Sequence, residues 1–163
     1  MDVVKISNNT DVYYLACKAQ DGSAGQSYIH DSIVFLDIDG VLNTYKEQGI
    51  RRDYVDPVKV QRIKRIIDST GAKVVISSNW RTDMSAVYRE LAEIADSIIG
   101  STGLTGNRNH EIEDWLEENP TKNWVVIDDL YLSFPGHLVN TREDVGITDA
   151  DVNKAISILS KND

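Results

Sequence analysis

From residue 32 onward, short apolar runs alternate with segments of helical character, and this alternation limits the architectures open to the chain. The runs are Ser32-Ile-Val-Phe-Leu36, Lys73-Val-Val-Ile76, Ser97-Ile-Ile-Gly100, Trp124-Val-Val-Ile127 and His137-Leu-Val-Asn140. Short, continuous apolar runs read as strands buried on both faces of a parallel sheet. Between them, Asp56 and Pro57 form a helix start, an N-cap followed by a residue suited to the first turn. Val58, Ile63, Ile66 and Ile67 supply the apolar face of that helix, and Gly71 stops it. Ser85 to Ala95 reads as a helix burying Val87, Leu91 and Ile94. Glu111 to Glu118 places Ile112, Trp115 and Leu116 on one face. Thr148-Asp-Ala-Asp151 resembles a capping box with Asp at its fourth position. It opens a last helix through Leu159, burying Val152, Ala155, Ile156 and Leu159. Repeated βα units predict an α/β fold, a parallel sheet of about five strands between two helical layers.

In such sheets ligands sit beyond the carboxyl ends of the strands. The residues found there are Asp37 and Asp39 after the first run, Ser77 and Ser78 after the second, and Asp128 and Asp129 after the fourth. A lone Asp-x-Asp-Gly is an ordinary turn signature. Three strands delivering acids and hydroxyls to one edge are better explained by a site. The converging carboxylates would repel without a cation, and hard oxygen ligands suit Mg²⁺, with Asp37 and Asp128 as candidate ligands.

These segments resemble the haloacid dehalogenase-like (HAD) phosphohydrolase superfamily. Asp37-Ile-Asp39-Gly40 after an apolar strand matches its first motif, Val74-Val-Ile-Ser77 its second, and Val125-Val-Ile-Asp128-Asp129 its fourth. More narrowly, Phe35-Leu-Asp-Ile-Asp-Gly-Val-Leu-Asn43, Ile76-Ser-Ser-Asn-Trp-Arg81 and His110-Glu-Ile-Glu-Asp-Trp-Leu116 are similar to the HAD phosphatase domain of RNA-repair proteins. The tail from His137 to the last helix extends that similarity.

The resemblance implies a three-layer Rossmann-like core and a mechanism. Asp37 would attack phosphorus and form an aspartyl-phosphate. Asp39 would protonate the leaving oxygen and later deprotonate the attacking water. Mg²⁺ would be held by Asp37, the Asp39 backbone carbonyl and Asp128, and Asp129 would act through water or hold a neighbour. Ser77 would donate to a phosphoryl oxygen, with Ser78 as the alternative. Gly40, Ser78, Asn79 and Arg81 stand as substrate-binding positions. For Arg81, a surface salt bridge is an equal alternative. The third-motif cation is Arg108 by position, ahead of Lys122. An acid at position 39 fits a phosphatase or mutase.

The stretches 43–56 and 79–107 are too short to hold a cap domain, so the site is expected to be open. Arg51 and Arg52 lie beside its entrance and Lys59, Arg62, Lys64 and Arg65 dot the next helix, a modest basic patch for which a solvated helix face is the favoured reading. The formal net charge of −9 gives no long-range attraction to a polyanion. No Gly-x-x-x-x-Gly-Lys-Ser/Thr loop occurs, and His30, His110 and His137 form no ligand cluster. The Trp residues read as core or strand-edge positions. Residues 1–31 read as an N-terminal extension containing a hairpin of Val3–Ile6 and Val12–Cys17, and residues 32–163 as the catalytic domain. The chain lacks a signal pattern and an apolar run near the ~20 residues that span a bilayer. Cys17, the single cysteine, fits a reducing, cytoplasmic setting.

The expected substrate is a nucleotide or a nucleic-acid terminal phosphate. Small phosphorylated metabolites are the alternative within enzymes. A protein that kept the fold and lost turnover is the alternative outside them.

Overall fold

The first strand, β1 (His30–Leu36), ends in four residues without solvent exposure, Ile33, Val34, Phe35 and Leu36. Both of its faces are therefore covered, as its unbroken apolar run requires. The computed structural model describes residues 27–161; the hairpin expected within residues 1–26, with Cys17, lies outside them. After β1 come a short helix α1 (Tyr45–Ile50), α2 (Pro57–Thr70), β2 (Lys73–Ile76), a 3₁₀ turn (Asn79–Asp83) and α3 (Met84–Glu90). A second 3₁₀ segment (Ala92–Ser97), β3 (Ile98–Ser101), α4 (Arg108–Glu118), β4 (Thr121–Asp128), β5 (Leu138–Asn140) and α5 (Asp149–Leu159) complete the order.

The strands form one five-stranded sheet in the order β3-β2-β1-β4-β5, and every pairing is parallel. Alternate residues point to opposite faces and divide the core in two. Val34, Leu36, Val74, Ile76, Val125 and Ile127 pack with Val60, Ile63 and Ile66 of α2, Val87 of α3, and Val152 and Ala155 of α5. Ile33, Phe35, Val75 and Val126 pack with Ile112 of α4 and with Leu132 and Phe134, flanked by Trp115 and Trp124. The three-layer α/β arrangement expected from the alternation is present.

The expected caps also occur. Asp56 accepts the Val58 N–H at 2.9 Å, and Gly71 closes α2 at φ 70°. The Thr148/Asp151 capping box opens α5. Four details differ from the sequence reading. Val58 is exposed and Val60 is buried, because the inward stripe of α2 runs through Val60, Ile63 and Ile66. In α5, Ile158 is buried and Ile156 only packs against the rim of the core. The expected helix Ser85–Ala95 breaks at Leu91 (φ −104°, ψ 31°) and continues as 3₁₀, although Val87, Leu91 and Ile94 all remain buried. The stretch after Asn43 contains α1, held by a Thr44/Glu47 capping box. Between β1 and α2 there is nothing larger than this six-residue helix, and residues 79–107 hold only the two 3₁₀ segments, α3 and β3. Neither connection contains a cap domain.

Candidate active site

From β1 the chain proceeds outward to β2 and β3, then returns to place β4 on the other side of β1. The strand order therefore reverses between β1 and β4, and such a switch point opens a crevice at the carboxyl ends. The ladder continues one residue past the strands. Asp37 N–H donates to Ile127 O (3.0 Å), Ser77 N–H to Leu36 O (2.8 Å) and Thr102 N–H to Ile76 O (3.0 Å). Thr102, Ser77, Asp37 and Asp128 thus stand in a row along the sheet edge. Period-two alternation puts them on the face of Phe35, Val75 and Val126, which is the α4 side.

Carboxylate oxygens of Asp37, Asp128 and Asp129 lie within 4.8 Å of one another. Asp37 and Asp128 are buried. Burial, with the neighbouring charge of Asp128, pushes the Asp37 carboxyl up to about 8 against the pull of Arg108. Burial likewise raises Asp128 to about 6, again opposed by Arg108. Arg108, the first residue of α4, provides the balancing charge. Its Nη1 is 2.6 Å from Asp128 Oδ2 and 3.5 Å from Asp37 Oδ1. A cluster of hard oxygen donors that resists holding its own negative charge fits a divalent cation.

Gly40 has φ 78°, and a Cβ built there would lie 2.3 Å from Asp129 Oδ2. Only glycine allows this turn to pass so close to the acid. The bend brings Asp39 back toward the edge, where two donors hold its carboxylate: Asn43 Nδ2 on Oδ1 (2.9 Å) and the Trp80 indole N–H on Oδ2 (3.1 Å). Asn43 is fully buried, and its own Oδ1 accepts the Gly40 N–H at 3.0 Å. The Thr141 hydroxyl fixes the same turn by donating to Gly40 O at 2.9 Å. Asn140 donates to the carbonyls of Asp128, Asp129 and Leu130, which shapes the loop after β4.

Ser77 Oγ is buried and lacks a hydrogen-bond partner, whereas Ser78 Oγ is occupied as the cap of the 3₁₀ turn, accepting the Trp80 N–H. Asn79 is exposed at the start of that turn. Arg81 is not in a surface salt bridge. It is buried, and its Nη2 donates to Glu111 Oε2 at 2.8 Å. Lys122 sits on β4 six residues before Asp128, roughly 20 Å away along the strand, and is remote from the cluster. Trp115 and Trp124 are core aromatics as expected, but Trp80 also reaches the site through Asp39.

The basic residues near the entrance are largely neutralised. Arg51 pairs with Asp53, Lys59 with Asp56, Lys64 with Asp68, and Arg62 and Arg65 both with Asp149. They form a salt-bridged helix surface, not a free cationic patch.

Residues 33–152 match the family described as the HAD domain in Swiss Army Knife RNA repair proteins. The chain belongs to this family. Membership brings phosphohydrolase chemistry, a phosphorylated substrate and, typically, a divalent metal, with which the aspartate cluster of this HAD domain is compatible. Searches of curated proteins and of solved structures found no match. Among the described residues no helix is long and apolar enough to cross a membrane.

Glu111, Trp80, Asn43 and Thr102 were not singled out as site residues by the sequence. Glu111 carried one signal. It sits four residues before Trp115 on the apolar stripe of α4, where an acid is out of place unless it has buried partners. Asn43 and Trp80 carried none beyond their place in the matched segments.

Proposed function

We propose that the protein is a Mg²⁺-dependent phosphomonoester hydrolase that works through an aspartyl-phosphate on Asp37 and acts on a nucleotide or nucleic-acid terminal phosphate. The observation that carries this reading is the meeting of Asp37, Asp128 and Asp129 with the Arg108 guanidinium and the unpartnered Ser77 hydroxyl at the switch point.

Asp37 attacks phosphorus, and the bond from phosphorus to the leaving oxygen breaks. Asp39, swung back by Gly40, gives that oxygen its proton. The resulting Asp39 carboxylate takes a proton from water, whose oxygen attacks phosphorus and frees Asp37. Trp80 and Asn43 orient Asp39 for both transfers. Arg108 balances charge on Asp37 and on the equatorial oxygens, Ser77 donates to one of those oxygens, and Gly40, Ser78, Asn79 and Arg81 shape the substrate side. Asp37, the Asp39 carbonyl and Asp128 would hold Mg²⁺, with Asp129 beside them. The ion would supply positive charge between nucleophile and phosphate and keep Asp37 ionised at neutral pH. Residues 32–163 form the phosphatase domain, residues 1–31 an extension to it, and the compartment is the cytoplasm.

The open connections around the site favour a large substrate such as a nucleic-acid end. The pairing of the nearby basic residues favours small phosphorylated metabolites, which is the second reading. Mg²⁺-dependent phosphate release from p-nitrophenyl phosphate, a 3′-phosphorylated oligonucleotide and nucleoside monophosphates separates them. Preference for the oligonucleotide supports the first, and preference for small esters the second. Release from none of them, with Mg²⁺ present, refutes the hydrolase.

A further inference from the structure

Glu111 has more partners than a simple counter-charge needs. It is 2% exposed. Its Oε1 accepts the backbone N–H groups of Thr105 (2.8 Å) and Gly106 (2.9 Å), in the loop that leads into Arg108. Its Oε2 accepts Nη2 of Arg81 at 2.8 Å and lies 3.8 Å from Nε of Arg108. One carboxylate therefore joins the element after β2, the loop after β3 and the first turn of α4. Neutralising Arg81 would require only the bond from its Nη2 to Oε2.

Arg81 supplies the second observation. The residue is nine-tenths buried, yet its Nε and Nη1 have no partner. A guanidinium carries five N–H donors in a fixed fork, and buried donors left unpaired are costly unless something accepts from them. The buried hydroxyls without partners among the described residues, Ser77 Oγ and Thr102 Oγ1, stand at the ends of β2 and β3, next to the element that carries Arg81. Arg81 also lies close enough to Asp37 and Arg108 for both charges to act on it. Unpartnered guanidinium N–H groups suit an anionic acceptor.

We propose that Glu111 is a positioning residue that sets the guanidinium groups of Arg81 and Arg108 together against the phosphoryl group, so that the free N–H groups of Arg81 meet phosphoryl oxygens. This rests on the phosphohydrolase reading above. Bidentate contacts from Arg to phosphate depend on orientation as well as charge. A carboxylate that fixes the plane of one guanidinium and the loop carrying the other controls both.

The test is calorimetric titration of inorganic phosphate into the protein with Mg²⁺ present. Glu111→Gln keeps the shape and an oxygen for the Thr105 and Gly106 donors, but turns an NH₂ toward the N–H groups of Arg81. It should weaken phosphate binding about tenfold or more, as should Arg81→Ala, and the pair together should fall well short of the product of the two effects. With p-nitrophenyl phosphate, Glu111→Gln should raise KM more than it lowers kcat. A thermal melt of each variant verifies folding below the assay temperature. If Glu111→Gln does not fold, Glu111→Asp keeps the charge and cannot reach both the loop and Arg81, so it should weaken phosphate binding about fivefold. Phosphate affinity within about twofold of the unaltered protein in the folded variant, or effects that simply multiply, overturns the inference. Phosphate binding with these dependences but no hydrolysis of any ester leaves the inference standing and removes the hydrolase. Hydrolysis that Glu111→Gln leaves unchanged does the reverse.

Discussion

Gly40→Ala tests whether the turn after Asp37 is built around the acid cluster. Two costs can be worked out from the structure. At φ 78° a side chain enters the left-handed region, which costs about 1–2 kcal/mol for a residue other than glycine. The new Cβ would also sit 2.3 Å from Oδ2, 2.6 Å from Cγ and 2.9 Å from Cβ of Asp129, so that side chain must move away. Asp129 is only half-buried and can swing toward solvent, which limits the second cost to about 1 kcal/mol, an ordinary overpacking penalty. The sum is about 2–3 kcal/mol, or a fall in Tm of about 4–12 °C for a domain of this size. Differential scanning calorimetry of Gly40→Ala, Asp129→Ala and the double variant separates the parts. With Asp129 truncated the overlap is reduced to its own Cβ, so Gly40→Ala should cost less there than in the unaltered background, by part of that ~1 kcal/mol. Equal costs in the two backgrounds would show that the approach to Asp129 is not what glycine serves. A melt within 1 °C of the unaltered protein, as a rough threshold, would refute the strained turn itself.

The titration of the cluster sets a pH dependence. Asp37 and Asp128 have folded values of about 8 and about 6, raised above the ordinary 3.8, so the folded state binds protons more tightly than the unfolded one. Without divalent ions, the stability contributed by these two groups should be complete below about pH 4 and lost as pH rises through about 6 to about 8, and Mg²⁺ should raise Tm more at pH 8 than at pH 5. Arg108→Met removes the cation 2.6 Å from Asp128 and should cost about 3 kcal/mol at pH 8 in denaturant unfolding, less at pH 5 where protonation relieves the repulsion; a cost that does not depend on pH contradicts this. Trp80→Phe keeps most of the packing but loses the 3.1 Å bond to Asp39. It should lower kcat about tenfold with little change in Tm, and an unchanged kcat would mean Asp39 needs no such orientation.

The parts of this protein legible in its sequence share one physical origin. Burial on both faces forces β1, β2 and β4 into unbroken apolar runs, and local caps at Asp56, Gly71 and Thr148 fix helix ends without long-range help. Asp37, Ser77 and Asp128 were visible because each immediately follows such a run, and parallel pairing carries them to one edge. Helix rotation was harder to read. Val58 and Val60 are chemically equivalent, and only the docking of the helix onto the core selects Val60. The break at Leu91 preserves the inward stripe, so the apolar pattern does not register it. Site residues that act through partners distant in sequence were least legible. Arg81 and Glu111 are 30 positions apart, and Trp80 and Asp39 are 41 apart. An arginine near the end of a strand looks the same whether it faces water or a buried glutamate. In the cationic stretch from Arg51 to Arg65, Arg62 and Arg65 were ambiguous for the same reason, since their partner Asp149 lies far along the chain.

The most direct test of the central claim is to look for the phosphoryl group on Asp37. The protein, with Mg²⁺, is mixed with p-nitrophenyl phosphate, quenched in acid during turnover, digested and mapped by mass spectrometry. The account predicts a phosphoryl adduct on Asp37, more abundant in Asp39→Ala, where water is no longer activated, and absent in Asp37→Asn. Turnover without an adduct in either protein, or an adduct on any other residue, would contradict it.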